Sequence, residues 1–300
     1  MNDDVVRKRA ATLASSVVAL CLLFAARPAS PMGETPHETD GKQWAHETIR
    51  YALAAGRFEQ IDVTVTNGSV TVTGDARADS IHIEATRAVG ASTSEKANLA
   101  LRDLNISLEG SGSTFMIRAE APDESGIWPF IAAKRNRYSY RVDFVITVPR
   151  SYAVKSKTMD GDISAEMVRA AHLVALNGAV SAQQTESVRV WTMNGNVRAE
   201  SVSGPVHLAT INGNVTCAIV GTVGATEIRT TNGSVTLVIP SQANAELVLA
   251  NVNGGISTSI PDTEFRRLTK ERRSLRGTLG SGGPIVRIAT VNGSINVRTQ

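Results

Sequence analysis

The chain has 300 residues, 42% of them hydrophobic but only 4% aromatic, with 24 glycines. That length fits one large domain or two ordinary ones, and the composition argues against a deep aromatic-lined pocket while suiting many short strands joined by tight turns. A net charge of +3 with 20% charged residues excludes a disordered acidic chain and an obvious nucleic-acid binder, and two cysteines cannot build a disulfide framework.

Residues 1–30 read as a signal peptide. Arg7, Lys8 and Arg9 form a basic stub, residues 10–26 are an apolar run, and small residues such as Ala25, Ala26 and Ala29 follow. No clean small-x-small cleavage site stands out, so an uncleaved N-terminal anchor is the alternative reading, with a run at the short limit for a spanning helix. Cleavage would leave Cys217 as the sole cysteine and the remaining chain close to neutral. Residues 31–57 are expected to be a flexible leader, beginning with a polar stretch that holds two prolines.

An Asn-Gly or Asp-Gly pair organises the rest. It starts at Asn67, Asp160, Asn177, Asn194, Asn212, Asn232, Asn253 and Asn292; from Asp160 the steps are 17, 17, 18, 20, 21 and then 39 residues. A short period of this kind signals stacked repeats. Counting from the Asn, apolar residues recur six and four positions before it, as in Val188 and Val190, and Thr recurs two before it, as in Thr192. Val or Ile recurs three after it, as in Val197, and a small residue five after it, as in Ala199. Each arm alternates with the strand period of two, and the parity breaks at the Asn-Gly pair, where a corner belongs.

One such turn cannot bury its apolar side chains alone, whereas stacked turns pair every backbone group and close a thin continuous core. The expected fold is therefore all-β, a single-stranded parallel β-solenoid (a right-handed β-helix) over 151–300, with an N-terminal α+β cap region. The first solenoid turn and the cap region take 58–150, with strands near 80–87, 114–121 and 138–149 around a helix capped by Ser92, Thr93 or Ser94. The stacked Asn and Thr side chains are expected to hydrogen-bond along their columns as a structural ladder. Cys217 falls in the small-residue column and reads as a buried thiol in place of alanine.

Two surfaces stand out as candidate contacts. The column just before the Asn holds Met159, Leu176, Met193, Ile211, Val252 and Val291. Strand parity points it outward as a partner stripe, unless the corner turns it back into the core. The insertion at 261–284 carries Arg266, Arg267, Lys270, Arg272, Arg273 and Arg276, and reads as a solvated loop or short helix, or else as a contact for an anionic surface. The apolar stretch Ile127, Trp128, Pro129 and Phe130 reads as a cap plug or a contact site.

Catalysis finds little support. Glu166 and Glu200 share a column, but Gln183 lies between them and no aromatic platform accompanies them. His172 and His207 share an outward column with Arg189 between them, and a cation between two would-be ligands argues against a metal site. No catalytic residue, metal or cofactor is assigned.

The repeated T-x-N-G-x-[VI] motif (TMNGNV, TINGNV, TTNGSV, TVNGSI), the ITVP segment at 146–149 and the closing GSGGPIVRIATVNGSINV stretch resemble the bacterial extracytoplasmic family known as "putative adhesin", with β-strand repeats. The resemblance covers about residues 58–300. It implies a β-solenoid at the cell envelope and offers no catalytic residues. The expected function is an exported, non-catalytic, adhesin-like binding module, periplasmic or at the cell surface. Its partner would be an envelope glycan or a surface protein, with no nucleic acid, and with membrane contact only through an uncleaved N-terminal segment. The alternative is a self-assembling envelope scaffold, because the last repeat ends at Gln300 with nothing left in the sequence to cap it.

Overall fold

The computed structural model describes residues 41–120 and 138–300. The signal segment 1–30, the first part of the leader and the apolar stretch 127–130 lie outside the described residues. The remainder of the leader is not a leader: β1 (Gln43–Ala54) pairs along its whole length with β4 (Ser80–Ala91). Ile49, Tyr51 and Leu53 carry the period-two signal that marks this strand.

Each Asn-Gly pair joins two strands that lie in different sheets. The first turn is β2 (Gln60–Asn67) and β3 (Val70–Asp75), with β4 after it. Then come α1 (Ser94–Asp103), β5 (Asn105–Ser111), β6 (Thr114–Glu120) and β7 (Ser139–Pro149). The regular turns follow as β8 (Ala153–Asp160) with β9 (Ile163–Glu166), β10 (Ala170–Asn177) with β11 (Val180–Gln183), and β12 (Ser187–Asn194) with β13 (Val197–Val202). They continue as β14 (Val206–Asn212) with β15 (Val215–Ile219), β16 (Thr226–Asn232) with β17 (Val235–Ile239), and β18 (Ala245–Asn253) with β19 (Ile256–Thr258). The chain closes with β20 (Phe265–Lys270), β21 (Ser274–Leu279), β22 (Ile285–Asn292) and β23 (Ile295–Thr299).

These strands form two mixed sheets, not one parallel solenoid. Sheet A has 11 strands, in the order β1-β4-β7-β3-β9-β11-β13-β15-β17-β23-β19, and sheet B has 12, in the order β20-β21-β18-β22-β16-β14-β12-β10-β8-β2-β6-β5. From β7 to β19 in sheet A, and from β6 to β18 in sheet B, every neighbouring pair is parallel. Antiparallel strands cap both ends: β4 and β1 on β7, β5 on β6, and β21 and β20 on β18. At one end α1 also covers β1 and β4; it starts at Thr93, whose side chain accepts from the Lys96 amide at 3.3 Å.

Spatial order departs from chain order near the C-terminus. After β16 and β17 the chain leaves one slot empty, builds the terminal turn β18 and β19, and turns back through β20 and β21. The last repeat then fills the skipped slot, with β22 between β16 and β18 and β23 between β17 and β19. The last repeat is thus an internal one, which removes the open terminal edge on which the scaffold alternative rested. The basic insertion, expected to be a loop or short helix, is an antiparallel hairpin after a single 3-10 turn at Asp262–Glu264. Its β20 forms one edge of sheet B, and the matching edge of sheet A is the three-residue β19; short edges and edge cations both oppose strand addition.

The core lies between the sheets. Val188, Val190, Leu208 and Ile228 face it from sheet B, and Ile163, Val180, Val197 and Val215 from sheet A; all are buried. Cys217 sits in this core with no exposure, and burial pushes its thiol up to about 12, so it is not a nucleophile at neutral pH.

Candidate functional site

At the corners each side-chain amide donates to the turn before it in space. Asn177 Nδ2 lies 2.7 Å from Asp160 Oδ1, Asn194 2.8 Å from Asn177 Oδ1, Asn212 2.8 Å from Asn194 and Asn232 2.8 Å from Asn212. Asn292 then donates to Asn232 at 2.7 Å and Asn253 to Asn292 at 2.9 Å, so the ladder follows the spatial order of the turns. Asn67 is in register with Asp160. The Thr column does not bond to itself. Thr192, Thr210, Thr230 and Thr290 point inward and donate to the glycine carbonyls of Gly178, Gly195, Gly213 and Gly233 in the neighbouring turn. Every amide rung is thereby spent on the framework.

With positions six, four and two before the Asn facing inward, positions five, three and one face out. Met159, Ile211, Val252 and Val291 are exposed and Leu176 and Met193 half-buried, so the corner does not turn this column into the core. In space Met159, Leu176, Met193 and Ile211 are consecutive; exposed Thr231 separates them from Val291 and Val252. Two residues upstream on the same outward face stand Val174, Trp191 and Ala209, and Trp191 is 40% exposed. Sequence reasoning singled out the column beside the Asn but not these three, although the period-two alternation reaches them equally.

The next outward column is basic. Lys155, His172, Arg189 and His207 stand side by side on β8, β10, β12 and β14, one strand spacing of about 4.8 Å apart. Carboxylates close the row at its ends: Asp62 on β2 holds Lys155 at 2.7 Å, and Glu227 on β16 lies 3.5 Å from His207 while also pairing with Arg229. Arg189 in the middle has no hydrogen-bond or ion-pair partner among the described residues. The row lines a groove of about 340 Å³ at the starts of these strands, together with Gln60, Ser187 and Pro205. Partial desolvation, then Arg189, Lys155 and Lys157, pull the pKa of His172 below its ordinary value, and Asp62 opposes them.

The other candidates stay apart. Glu166 and Glu200 lie on the outer face of sheet A with Gln183 between them, and Glu200 pairs with Arg198 at 2.6 Å. Arg266, Arg267, Lys270, Arg272, Arg273 and Arg276 are all exposed along the terminal hairpin, where Lys270 reaches Asp262 at 3.6 Å. Among the described residues no group of His, Cys, Asp and Glu side chains could hold a metal ion, and no helix is long and apolar enough to cross a membrane.

The architecture defines an all-β protein built from stacked repeats, with a partly apolar outer face. Residues 177–298 match the model of the family described as Toastrack DUF4097. No curated protein matches the chain. Among solved structures, a "putative cell adhesion protein" from Clostridium sporogenes is similar at 11% identity and a TM-score of 0.36, over 86% of this chain and 100% of that one. A "putative adhesin" from Bacteroides fragilis is similar at 12% identity and a TM-score of 0.35, over 85% of this chain and 97% of that one. A "putative lipid binding protein" from Parabacteroides distasonis is similar at 12% identity and a TM-score of 0.38, over 84% of this chain and 96% of that one. At these scores the likeness carries no functional information.

Proposed function

We propose that the protein is an exported, non-catalytic binding module of the adhesin type, acting at the cell envelope through the outer face of sheet B. One observation carries this reading. Met159, Leu176, Met193 and Ile211, together with Val174 and Trp191, make a contiguous outward apolar patch beside a corner ladder whose Asn amides are spent internally. Exposed apolar patches of this kind, rimmed by charge, mark contact surfaces. The signal-like residues 1–30 support export. We read the two parallel stretches as the walls of one coil, right-handed because parallel crossover connections overwhelmingly take that hand.

The test is retention of the tagged full-length chain on isolated bacterial envelopes. The double variant Met193→Ser/Ile211→Ser should melt within a few degrees of the parent, because neither side chain is in the core, yet lose retention. A variant that melts normally and is retained like the parent removes the reading.

A further inference from the structure

Beside the apolar patch runs a feature the patch alone does not explain. Four basic side chains line one groove, and only the outer two have acidic partners. Lys155 and Arg189 are two strand spacings apart, about 9.6 Å, with His172 between them. An unpaired guanidinium flanked by protonatable rings is an anion-binding arrangement, and its planar fork suits a carboxylate.

We propose that this groove binds a linear polyuronate glycan, anchored by an acidic unit at Arg189, with a sugar face laid against Trp191. The assignment rests on the reading of this face as a binding surface and names its ligand class. Three observations select a chain over a membrane. The cations line a groove, which a strand of sugars enters and a planar surface does not. Asp62 and Glu227 bracket the row, so an extended anionic sheet would meet both carboxylates, while a chain centred on Arg189 meets the row's unpaired guanidinium and reaches only Asp62, whose charge Lys155 already offsets. Trp191 follows Arg189 by two residues on the same outward face, about 6.6 Å along the strand and outside the residues that line the groove, within reach of the next unit of a sugar chain whose acidic group sits at Arg189.

The experiment is a titration of the full-length protein with polygalacturonate and with alginate, against the methyl-esterified polygalacturonate and against phosphatidylglycerol vesicles. Saturable binding to at least one polyuronate is expected, with little to the ester. Arg189→Ala and Trp191→Ala should each weaken it by about tenfold or more, whereas Arg198→Ala, on the outer face of sheet A, should leave it unchanged. All three side chains project into solvent, and equal far-UV spectra and melting curves verify the fold. The assignment is overturned if both polyuronates fail to bind, if Arg189→Ala and Arg198→Ala weaken binding equally, or if only the vesicles bind. Envelope retention separates the two readings. Retention that survives Arg189→Ala and Trp191→Ala but not Met193→Ser/Ile211→Ser sinks the glycan and leaves the binding module standing; retention that survives every variant sinks both.

Discussion

The side-chain amide of Asn177 donates to the carboxylate of Asp160 at 2.7 Å, and from there the rungs run in one direction, each amide donating toward Asp160. A carboxylate suits that position because it needs only to accept. The ladder therefore has a polarity, and isosteric changes should act unequally along it. Asn194→Asp removes the donor to Asn177 and sets two acceptors face to face, while keeping the acceptor for Asn212. It should cost about 1–2 kcal/mol at neutral pH. Asp160→Asn keeps the rung from Asn177 and should cost less than about half of that. Urea unfolding of the two variants checks the order; equal losses would contradict a directional ladder.

Glycine after each Asn is demanded by the stacking, and at Gly178 by the turn as well. At Gly178 φ is +155°, and a Cβ would sit 2.0 Å from the carbonyl oxygen of Gly161 in the adjacent turn. Gly195 meets Gly178 at 1.9 Å and Gly213 meets Gly195 at 2.0 Å in the same way. Gly178→Ala must force two neighbouring turns apart and should destabilise by about 3 kcal/mol or more. Gly255 lies in the outermost turn with nothing near its Cβ position, so Gly255→Ala should stay within about 1 kcal/mol of the parent. Melting temperatures of the pair decide the matter.

What the sequence disclosed follows from the range of the interactions. Strand, corner and parity are local: Val188, Val190 and Thr192 inward and Met193 outward can be read from period two and the position of Asn194. The partner of Thr192 was not legible, because it depends on where the corner brings the Gly178 carbonyl. The order of the last turns was hidden for a different reason. Val286 pairs with Thr226 on one side and with Leu247 on the other, so the apolar register fits either neighbour equally. The cationic row was half legible: His172, Arg189 and His207 share a column in the repeat, but their groove depends on strand starts and return loops that differ in length from turn to turn.

That hidden order makes the C-terminus a structural wedge. A chain ending after Pro284 lacks β22 and β23, and so opens a gap between β16 and β18 in one sheet and between β17 and β19 in the other. Such a truncation should lower the melting temperature far more than trimming an end repeat would, and should expose core residues such as Ile228, Leu249 and Leu237 to a hydrophobic dye. If the truncated chain melts like the parent without dye binding, β18 and β19 have restacked directly on β16 and β17.

His172 provides a pH signature of the cationic row. Its surroundings hold its pKa below the ordinary 6.5: partial desolvation first, then Arg189 on β12 and Lys155 and Lys157 on β8, with Asp62 on β2 pulling the other way. The unfolded chain therefore takes up this proton before the folded chain does. The associated stability is fully present above about 6.5, and is lost as pH falls from there through the lowered folded value. His172→Gln should flatten that part of the stability profile while leaving the plateau above it nearly unchanged. An anion bound at Arg189 would offset the surrounding positive charge and raise the His172 pKa toward its unfolded value, so saturating polyuronate should shrink this fall in stability in the parent. Imidazole titration by NMR, with and without the glycan, reads both effects on one side chain. A His172 that titrates at its ordinary value in the free protein contradicts the packing of the row, and one that does not move on adding glycan places the ligand elsewhere.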